Sequence, residues 1–445
     1  MCMYKRKIES VLLAWKEQPG HKPLVVKGVR QCGKTSSVRQ FAETHYKNVV
    51  YIDFREDPNL VALFDNSLKV DYLTMAISAA IPETHFEPNN TCLILDEIQD
   101  CPRARGALKF FCLDGRYDVI CTGSLLGVNG YQTPQQEKQS ANASVPVGFE
   151  TIVDMYPMDF EEWLWANNLN KDVEDYLRDC LEKEQPIADA IHHRIRQLLL
   201  EYIIVGGMPA AVQVFLQTHD VNRLKQVQRA IVDEYKADMV KYARNEDKTR
   251  IRECFESIPR QLAKDNKKFT YSVVRRGGRS KEYEGSLQWI EDAGIIRRCH
   301  NVQITELPLE GNAIQDQFKI YMADTGLFIS MLDEETQSDI LQGNLLSYKG
   351  AIYENLMADF LSKKGRKLYY YHKPDSIELD FLVRHQGACV VIECKARSGN
   401  AKSLQTVLKH PEKYNVHNAF KFGDYNIGRS GNVLTLPFYM AYMII

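Results

Sequence analysis

Gly28-Val29-Arg30-Gln31-Cys32-Gly33-Lys34-Thr35 is the stretch that decides the fold of this chain. It follows the apolar run 23–26, which predicts a short buried strand, and it precedes residues 36–42, which predict the first turns of a helix. Strand, glycine loop and helix form the context in which GxxxxGK(S/T) is a phosphate-binding loop. A chance match on a glycine turn is the alternative. We expect a loop that binds the phosphates of a nucleoside triphosphate.

In this loop, the main chain and two side chains are expected to bind the triphosphate and its metal ion. Glycines let backbone N–H groups turn inward around phosphates, and a helix N-terminus adds partial positive charge. Lys34 is expected to reach the β- and γ-phosphates, and the Thr35 hydroxyl to bind Mg²⁺. The predicted nucleotide-binding residues are Gly28, Val29, Arg30, Gln31, Cys32, Gly33, Lys34, Thr35 and Ser36.

A second stretch, residues 91–97, is an apolar strand that ends in two carboxylates. Asp96 is predicted to hold the Mg²⁺, as the acid of a Walker B strand does. Glu97 is predicted to act as the general base that polarises the attacking water. A buried strand ending in Asp-Glu is a weak signal alone, but after a phosphate loop it predicts nucleotide binding and hydrolysis.

Composition places the chain among ordinary globular proteins. Its 445 residues suffice for about three domains. A net charge of −2 gives no global basic field, so any nucleic-acid surface has to be local. The 11 cysteines are scattered without a CxxC pair or zinc spacing, which favours reduced thiols in a cytoplasm. The start lacks a secretory signal, and no apolar run of ~18 residues predicts a membrane span.

The first third of the chain alternates predicted strands with predicted helices. Further strands are expected at 48–54, 118–124 and 150–155, and helices at 57–81 and 104–113. This alternation predicts a parallel, doubly wound sheet with helices on both faces. The polar stretch 128–148 predicts a mobile loop.

Three side chains near this region are singled out by position. Thr122 and Ser124 lie at the end of the fourth strand, where ligands of parallel sheets bind. A hydroxyl there would sense the γ-phosphate, and a helix-capping role is equally open. Asp159, followed by Glu162, predicts a helix that begins with a capping box.

The middle of the chain changes character twice. Residues 172–245 predict helices that form a lid, and residues 246–305 predict helices, a turn and strands in the order of a winged helix. Between 260 and 281, eight cations face one acid, Asp265, and would supply DNA phosphate contacts. A solvated charge run or a protein-docking wing is the alternative. The acidic helix 282–294 counts against deep insertion into a groove. The eight cations are Arg260, Lys264, Lys267, Lys268, Arg275, Arg276, Arg279 and Lys281.

A second chemical constellation lies near the C-terminus. The strand pair 377–383 and 388–396 alternates so that Asp380, Glu393 and Lys395 converge. Two carboxylates with a neighbouring lysine suit Mg²⁺-assisted phosphodiester cleavage, and Glu354 on the preceding helix would complete the metal shell. A surface hairpin with cross-strand ion pairs is the alternative.

With both constellations in view, nearly the whole chain resembles a prokaryotic family that fuses an AAA-type ATPase to a C-terminal domain of unknown function with a PD-(D/E)xK nuclease-like core. The matching motifs are GVRQCGKTS, LILDEIQ, TGS, YPMDFEEWL, VGGMP, WIEDAGII, ADTGL, YKGAIYENLMADFL and ELDFLV…VVIECKA. The resemblance implies ATP and Mg²⁺ at Lys34, Thr35, Asp96 and Glu97, and nuclease-type positions at Asp380, Glu393, Lys395 and Glu354. Leu379 stands where the nuclease motif has proline. An arginine finger stays open among Arg30, Arg103 and Arg105.

We therefore expect an α/β chain of four parts: an AAA-type P-loop ATPase domain at 1–160, a helical lid at 161–245, a winged-helix-like domain and connector at 246–345, and a restriction-endonuclease-like domain at 346–445. The first hypothesis is a Mg²⁺-dependent ATPase that acts as a switch or motor in DNA binding or processing. The alternatives are an ATP-regulated nuclease, or an ATP-binding signalling scaffold with an inactive nuclease-like domain. Expected partners are ATP and DNA, with no membrane, and an oligomer is open.

Overall fold

The computed structural model describes residues 4–124, 148–242, 247–264, 267–332, 335–342, 348–373, 377–395 and 402–444. The chain divides into two compact units. The first contains Met1–Pro157 and Tyr235–Lys248, and the second contains Met158–Glu234 and Thr249–Ile445. The mobile loop predicted over 128–148 lies, except for Gly148, outside the described residues.

The first unit is built on a parallel five-stranded sheet with the order β2-β3-β4-β1-β5. Strands 24–27, 91–96 and 118–123 are mostly buried, as expected for strands that helices cover on both faces, whereas strand 48–53 is partly buried and strand 151–154 is mostly exposed. The predicted α/β parallel sheet is therefore confirmed. The strands are β1 Leu24–Lys27, β2 Asn48–Asp53, β3 Thr91–Asp96, β4 Asp118–Gly123 and β5 Thr151–Asp154. The helices are α1 Ile8–Glu17, α2 Lys34–His45, α3 Val70–Ala80 and α4 Pro102–Asp114.

One predicted helix of this unit is divided in two. Instead of a single helix over 57–81, the chain forms a 3₁₀ helix, Pro58–Phe64, followed by α3. Asp57 caps the 3₁₀ helix by accepting the N–H of Asn59 at 3.0 Å. The polar run 65–67 after it favours a turn over continued helix, which explains the division.

The helix that follows β5 begins as the sequence predicts. At the start of α5, the Asp159 carboxylate accepts the Glu162 N–H at 2.9 Å, and the Glu162 carboxylate accepts the Asp159 N–H at 3.0 Å. This reciprocal pair is the predicted capping box. The helices are α5 Phe160–Ala166, α6 Lys171–Glu182, α7 Asp189–Val205, α8 Pro209–Thr218, α9 Val221–Tyr242, α10 Lys248–Leu262, α11 Tyr271–Val274, α12 Ser280–Asp292, α13 Thr325–Ser330, α14 Thr336–Gln342, α15 Lys349–Lys363, α16 Lys402–Lys409, α17 Pro411–Tyr414 and α18 Ala441–Ile444.

The second unit contains a mixed eight-stranded sheet with the order β12-β13-β11-β10-β9-β8-β6-β7. Its strands are β6 Ile296–Val302, β7 Ala313–Met322, β8 Leu368–Lys373, β9 Ile377–His385, β10 Ala388–Cys394, β11 Ala419–Gly423, β12 Gly428–Ser430 and β13 Val433–Pro437. The β6–β7 hairpin follows α10 to α12, but β6 also pairs in parallel with β8. The hairpin expected to be a wing is thus continuous with the C-terminal strands, and a separate winged-helix domain stays a prediction.

Each unit has its own apolar core. In the first unit, Leu93 and Leu95 of β3 pack with Leu73 of α3 and Phe111 of α4. In the second unit, a core cluster joins β8, β9, β10 and α16. No helix in the described part of the chain combines the length and apolar character that crossing a membrane requires.

Candidate functional site

The phosphate loop has the backbone that its sequence predicts. Gly33 adopts φ +97°, a left-handed conformation that favours glycine, and it caps the N-terminus of α2. A Cβ at Gly28 would lie 2.0 Å from the carbonyl oxygen of Met155, so no side chain fits there. The first N–H groups of α2 have no acceptor within the helix. They are available to an anion at the helix start.

Lys34 lies inside this loop and is 6% exposed. Its ammonium donates to the carbonyl oxygens of Gly28 and Val29, both at 2.9 Å. The charge is therefore held at the centre of the loop by neutral acceptors, which a phosphate oxygen can replace with a stronger, charge-assisted bond.

Asp96 at the end of β3 is the most heavily bonded carboxylate of this site. It is 2% exposed and accepts hydrogen bonds from the Thr35 hydroxyl at 2.7 Å and the Tyr51 hydroxyl at 2.9 Å. The Thr122 hydroxyl and the Glu97 N–H also donate to it. Thr35 and Asp96 thus bring two hard oxygen donors together beside Lys34, a donor set that fits Mg²⁺.

Glu97 follows β3 in a left-handed conformation with φ +53°. Its carboxylate lies 3.1 Å from the Arg55 guanidinium and accepts a hydrogen bond from the Gln99 side chain. Burial raises the pKa of Glu97 above its usual value, while Arg55 acts in the opposite direction. A carboxylate whose pKa is raised is better suited to accept a proton from water.

The two hydroxyls at the end of β4 have different surroundings. Thr122 donates to Asp96 and therefore belongs to the Walker B carboxylate. The Ser124 side-chain oxygen is buried and has no hydrogen-bond partner among the described residues. A buried hydroxyl without a partner calls for an explanation, such as a ligand. The predicted γ-phosphate contact of Ser124 stays a prediction.

Sequence reasoning missed three groups that hold the loop and the base. Arg55, just after β2, also lies 3.2 Å from Asp100. On α9, Asp238 pairs with Arg30 at 2.6 Å, and the Tyr235 hydroxyl donates to the Arg30 carbonyl at 3.1 Å. A cation after a parallel strand was a usable signal for Arg55. A contact between residues 208 positions apart left no local signal.

All three arginines considered as fingers are bonded within the first unit. Arg30 pairs with Asp238, and Arg105 pairs with Glu150 at 2.6 Å. Arg103 donates to the carbonyl oxygens of Phe64 and Asp65. Each of these arginines therefore has a contact within the fold, and which of them would act as an arginine finger stays open.

The C-terminal constellation is only partly assembled. Lys395 lies 2.5 Å from Glu393, and the Asp380 carboxylate accepts the Cys394 N–H at 2.8 Å. Burial is the main cause that raises the pKa of Asp380 well above its usual value, with Glu393 and Glu354 adding to it. Burial also raises the pKa of Glu393, against the effect of Lys395.

Glu354 has protein partners on both oxygens. Lys267 lies 2.7 Å from one oxygen, and the Tyr321 hydroxyl donates to the other at 3.0 Å, with Lys319 at 3.6 Å. Within the described ranges, no group of three or more His, Cys, Asp or Glu side chains is placed to hold a metal ion. Lysines therefore occupy both oxygens of Glu354, and the predicted Mg²⁺ shell of Glu354, Asp380 and Glu393 stays a prediction.

Part of the basic segment 260–281 is used inside the second unit. Lys267 pairs with Glu354, Lys264 donates to the Gln261 side chain, and Arg275 lies 3.8 Å from Glu253. The remaining exposed cations are Arg260, Arg276, Arg279 and Lys281. Four to five cations, rather than eight, thus remain at the surface for a polyanion.

Three family models match separate parts of the chain. An AAA domain matches residues 20–164, and two domains of unknown function, DUF8612 and DUF4143, match residues 196–338 and 349–439. The chain therefore carries an AAA-type P-loop domain, as predicted from its loop and Walker B strand. The nuclease-like core expected at the C-terminus is not shown by these matches. No curated protein matches the chain.

Solved structures that match the chain include three at low sequence identity. The Walker-type ATPase PABY2304 of Pyrococcus abyssi is 16% identical over 74% of this chain and 96% of its own, with a TM-score of 0.42. Aeropyrum pernix ORC1 in complex with DNA is 12% identical over 77% and 93%, with a TM-score of 0.29. AMPPCP-bound DnaA from Aquifex aeolicus is 10% identical over 66% and 89%, with a TM-score of 0.28. Scores this low carry no conclusion about this chain.

Proposed function

We propose that this chain, with its AAA-type domain at residues 20–164, binds ATP with Mg²⁺ and hydrolyses it as a molecular switch. The observation that carries the proposal is the hydrogen bond between Thr35 and Asp96 at 2.7 Å, beside the Lys34 ammonium inside the loop. A lysine, a hydroxyl and a carboxylate at the mouth of a glycine loop are what a Mg²⁺-triphosphate requires.

Binding exchanges one set of partners for another. The Lys34 ammonium leaves the carbonyl oxygens of Gly28 and Val29 and pairs with phosphate oxygens, while loop and α2 N–H groups face the remaining charge. Thr35 and Asp96 would hold Mg²⁺, which supplies charge neutralisation at the transferring phosphate. Ser124, buried and without a hydrogen-bond partner in the described part of the chain, is the side chain that we assign to the γ-phosphate.

Hydrolysis needs a base beside the bound triphosphate. Glu97 accepts a proton from the attacking water, and Arg55 at 3.1 Å holds its carboxylate in place. Burial keeps the pKa of Glu97 above its usual value, so the carboxylate is a stronger base than an exposed glutamate. Asp96 is occupied by four donors and is not available for this step.

The switch part of the proposal rests on α9. Its Asp238 and Tyr235 both contact Arg30 inside the phosphate loop, at 2.6 and 3.1 Å. A loop that rearranges around phosphates changes these two contacts, so the position of α9 reports the state of the nucleotide site. By the gain or loss of such contacts, the charge of a bound phosphate shifts α9 between two positions.

ATP turnover tests the proposal directly. We expect Mg²⁺-dependent release of phosphate from the wild-type chain and a loss of at least about 100-fold in Lys34→Ala, because a preorganised cation at the transferring phosphate is removed. Lys47→Ala, an exposed lysine on the same unit, is the matched control and should keep the wild-type rate. Equal turnover in Lys34→Ala and the wild type would contradict the assignment.

We further propose that the exposed cations of the segment 260–281 bind DNA phosphates, with ATP hydrolysis linked to that binding. The support is charge alone: Arg276, Arg279 and Lys281 are exposed on one short stretch around the start of α12. Metal-assisted cleavage by the C-terminal constellation finds no support in the described residues, because Glu354 is bonded to lysines. The second unit is therefore proposed as a binding unit.

A further inference from the structure

A cluster of carboxylates in the second unit lies among three ammonium groups, of which the sequence did not single out Lys319. Lys319, on β7, is 1% exposed. Its Nζ lies 2.8 Å from Glu378 and 3.6 Å from Glu354, and over the Tyr370 ring at 4.9 Å. The charges of the cluster are Lys267, Lys319 and Lys395 against Glu354, Glu378, Asp380 and Glu393.

Lys319 is buried between two carboxylates. A buried ammonium is costly unless carboxylates pair with it, and here two do. Although burial alone lowers the pKa of Lys319, the carboxylates of Glu354, Glu378 and Asp380 outweigh it and raise the pKa above its usual value. Conversely, Lys319 and Lys267 overcome the effect of burial on Glu354 and lower its pKa.

Lys267 reaches the cluster because its segment docks on the outer edge of β7. Lys268 forms an antiparallel bridge with Lys319, and the Phe269 N–H donates to the Phe318 carbonyl at 2.8 Å. The Phe269 and Phe318 rings stack with centroids 5.5 Å apart. The side chain of Lys267 is 14% exposed in its ion pair with Glu354. The docked backbone thus delivers a second cation to the same carboxylate.

We propose that Lys267 and Lys319 take the place of a divalent cation at Glu354. The protein's own ammonium groups then neutralise the carboxylates of the cluster, and no metal ion binds there. Two cations within ion-pair distance of one carboxylate repel a dication that approaches it. Their removal leaves Glu354 and Glu378 without their ammonium partners. Together with Asp380, these carboxylates lie on neighbouring elements of one sheet and one helix, where a dication then compensates them.

Binding of Mn²⁺ alone, without nucleotide, tests this inference in the full chain. We expect no Mn²⁺ uptake at the cluster in the wild type at millimolar concentrations. The double variant Lys267→Met/Lys319→Met should bind one Mn²⁺ per chain at the cluster, with an affinity at least about tenfold higher than that of the wild type. Adding Glu354→Gln should abolish that site. The matched control is Lys402→Met/Lys409→Met, which removes two exposed lysines. Like the wild type, it should bind no Mn²⁺ at the cluster. Electron paramagnetic resonance of free Mn²⁺ gives the stoichiometry.

Two outcomes would overturn the inference. One is a wild-type chain that binds Mn²⁺ and loses it in Glu354→Gln, because the lysines then do not exclude the ion. The other is a folded double variant without any gain in Mn²⁺ affinity. Circular dichroism establishes whether the double variant folds. If the double variant does not fold, Lys267→Met alone is the second variant, because Lys267 lies in an edge segment rather than in the core. Because no nucleotide is present, the result is independent of the ATPase proposal.

Discussion

Glu97 is the residue on which the proposed chemistry depends. It combines a left-handed backbone, φ +53°, with burial and an Arg55 partner at 3.1 Å. Residues held in sparsely populated backbone conformations cluster at active sites. The sequence identified Glu97 because a strand-end pair of carboxylates is a local pattern. It did not identify Arg55, whose importance depends on which strands become neighbours.

Replacement of Glu97 separates binding from hydrolysis. In Glu97→Gln we expect turnover to fall by about 10²–10⁴-fold, because the general base is lost, while ATP affinity stays near that of the wild type. Glu43→Gln, an exposed glutamate on α2, is the control. Phosphate release and equilibrium ATP binding are the two measurements, and an unchanged turnover rate would exclude Glu97 as the base.

The same residue predicts a pH dependence. The base works only when deprotonated, and burial raises the pKa of Glu97. We therefore expect the wild-type rate to fall on the acid side at a pH above the usual pKa of glutamate, about 4.3. A pH–rate profile between pH 4 and 8 checks this. A rate that stays constant down to the usual pKa of glutamate would show that the pKa of Glu97 is not raised during ATP hydrolysis.

Asp359 in the second unit predicts a pH-dependent stability. It pairs with Lys363 at 2.8 Å, yet burial raises its pKa from 3.8 to about 7. Between these values the folded chain holds a proton that the unfolded chain has lost, so this contribution is full at low pH and disappears as pH rises through about 7.

We expect the free energy of unfolding of Asp359→Asn to rise relative to the wild type as pH increases from 5 to 7, by up to about 1 kcal/mol per pH unit. Urea unfolding of both chains at each pH gives the difference. A difference that is constant over this range, or that changes in favour of the wild type, would contradict the assignment. Asp172→Asn, on an exposed helix start, is the control.

At the scale of elements, local patterns predicted what the structure confirms. The phosphate loop, the Walker B strand and the capping box of α5 each depend on residues within about seven positions of one another. The division of 57–81 into a 3₁₀ helix and α3 had a local signal in its polar run, which the prediction passed over. The pairing of β6 with β8 had none, because strands distant in sequence carry no mark of their partner.

The same distinction explains the C-terminal cluster. Asp380, Glu393 and Lys395 lie on consecutive strands, so alternation placed them together. Lys319 and Lys267 arrive from a hairpin and a docked segment earlier in the chain. Sequence reasoning therefore placed Asp380, Glu393 and Lys395 near one another, but it could not place Lys267 and Lys319 beside Glu354.

The α5 capping box gives a prediction at this scale. Asp159→Ala should lower the free energy of unfolding by about 1 kcal/mol, because it leaves the Glu162 N–H without its acceptor. Asp172→Ala, in the first turn of α6, serves as the comparison and should have a smaller effect. Urea denaturation measures both. Equal effects would show that the box does not stabilise α5.

At the scale of the whole molecule, a net charge of −2 means that DNA binding depends on a local surface. We expect the triple variant Arg276→Ala/Arg279→Ala/Lys281→Ala to lose DNA affinity and to reduce the slope of log affinity against log salt by about 2–3. Lys47→Ala/Lys171→Ala/Lys409→Ala removes three exposed lysines elsewhere and should change neither. A salt-independent affinity in the wild type would assign the segment to another role.

Every step proposed for this chain requires that one Mg²⁺-ATP binds in the phosphate loop between Lys34, Thr35 and Asp96. Isothermal titration calorimetry of the full chain with ATP in magnesium buffer measures this binding without turnover or DNA. We expect one site per wild-type chain and loss of the binding heat in Lys34→Ala. No ATP uptake by the wild type, or equal uptake by the variant, would contradict it.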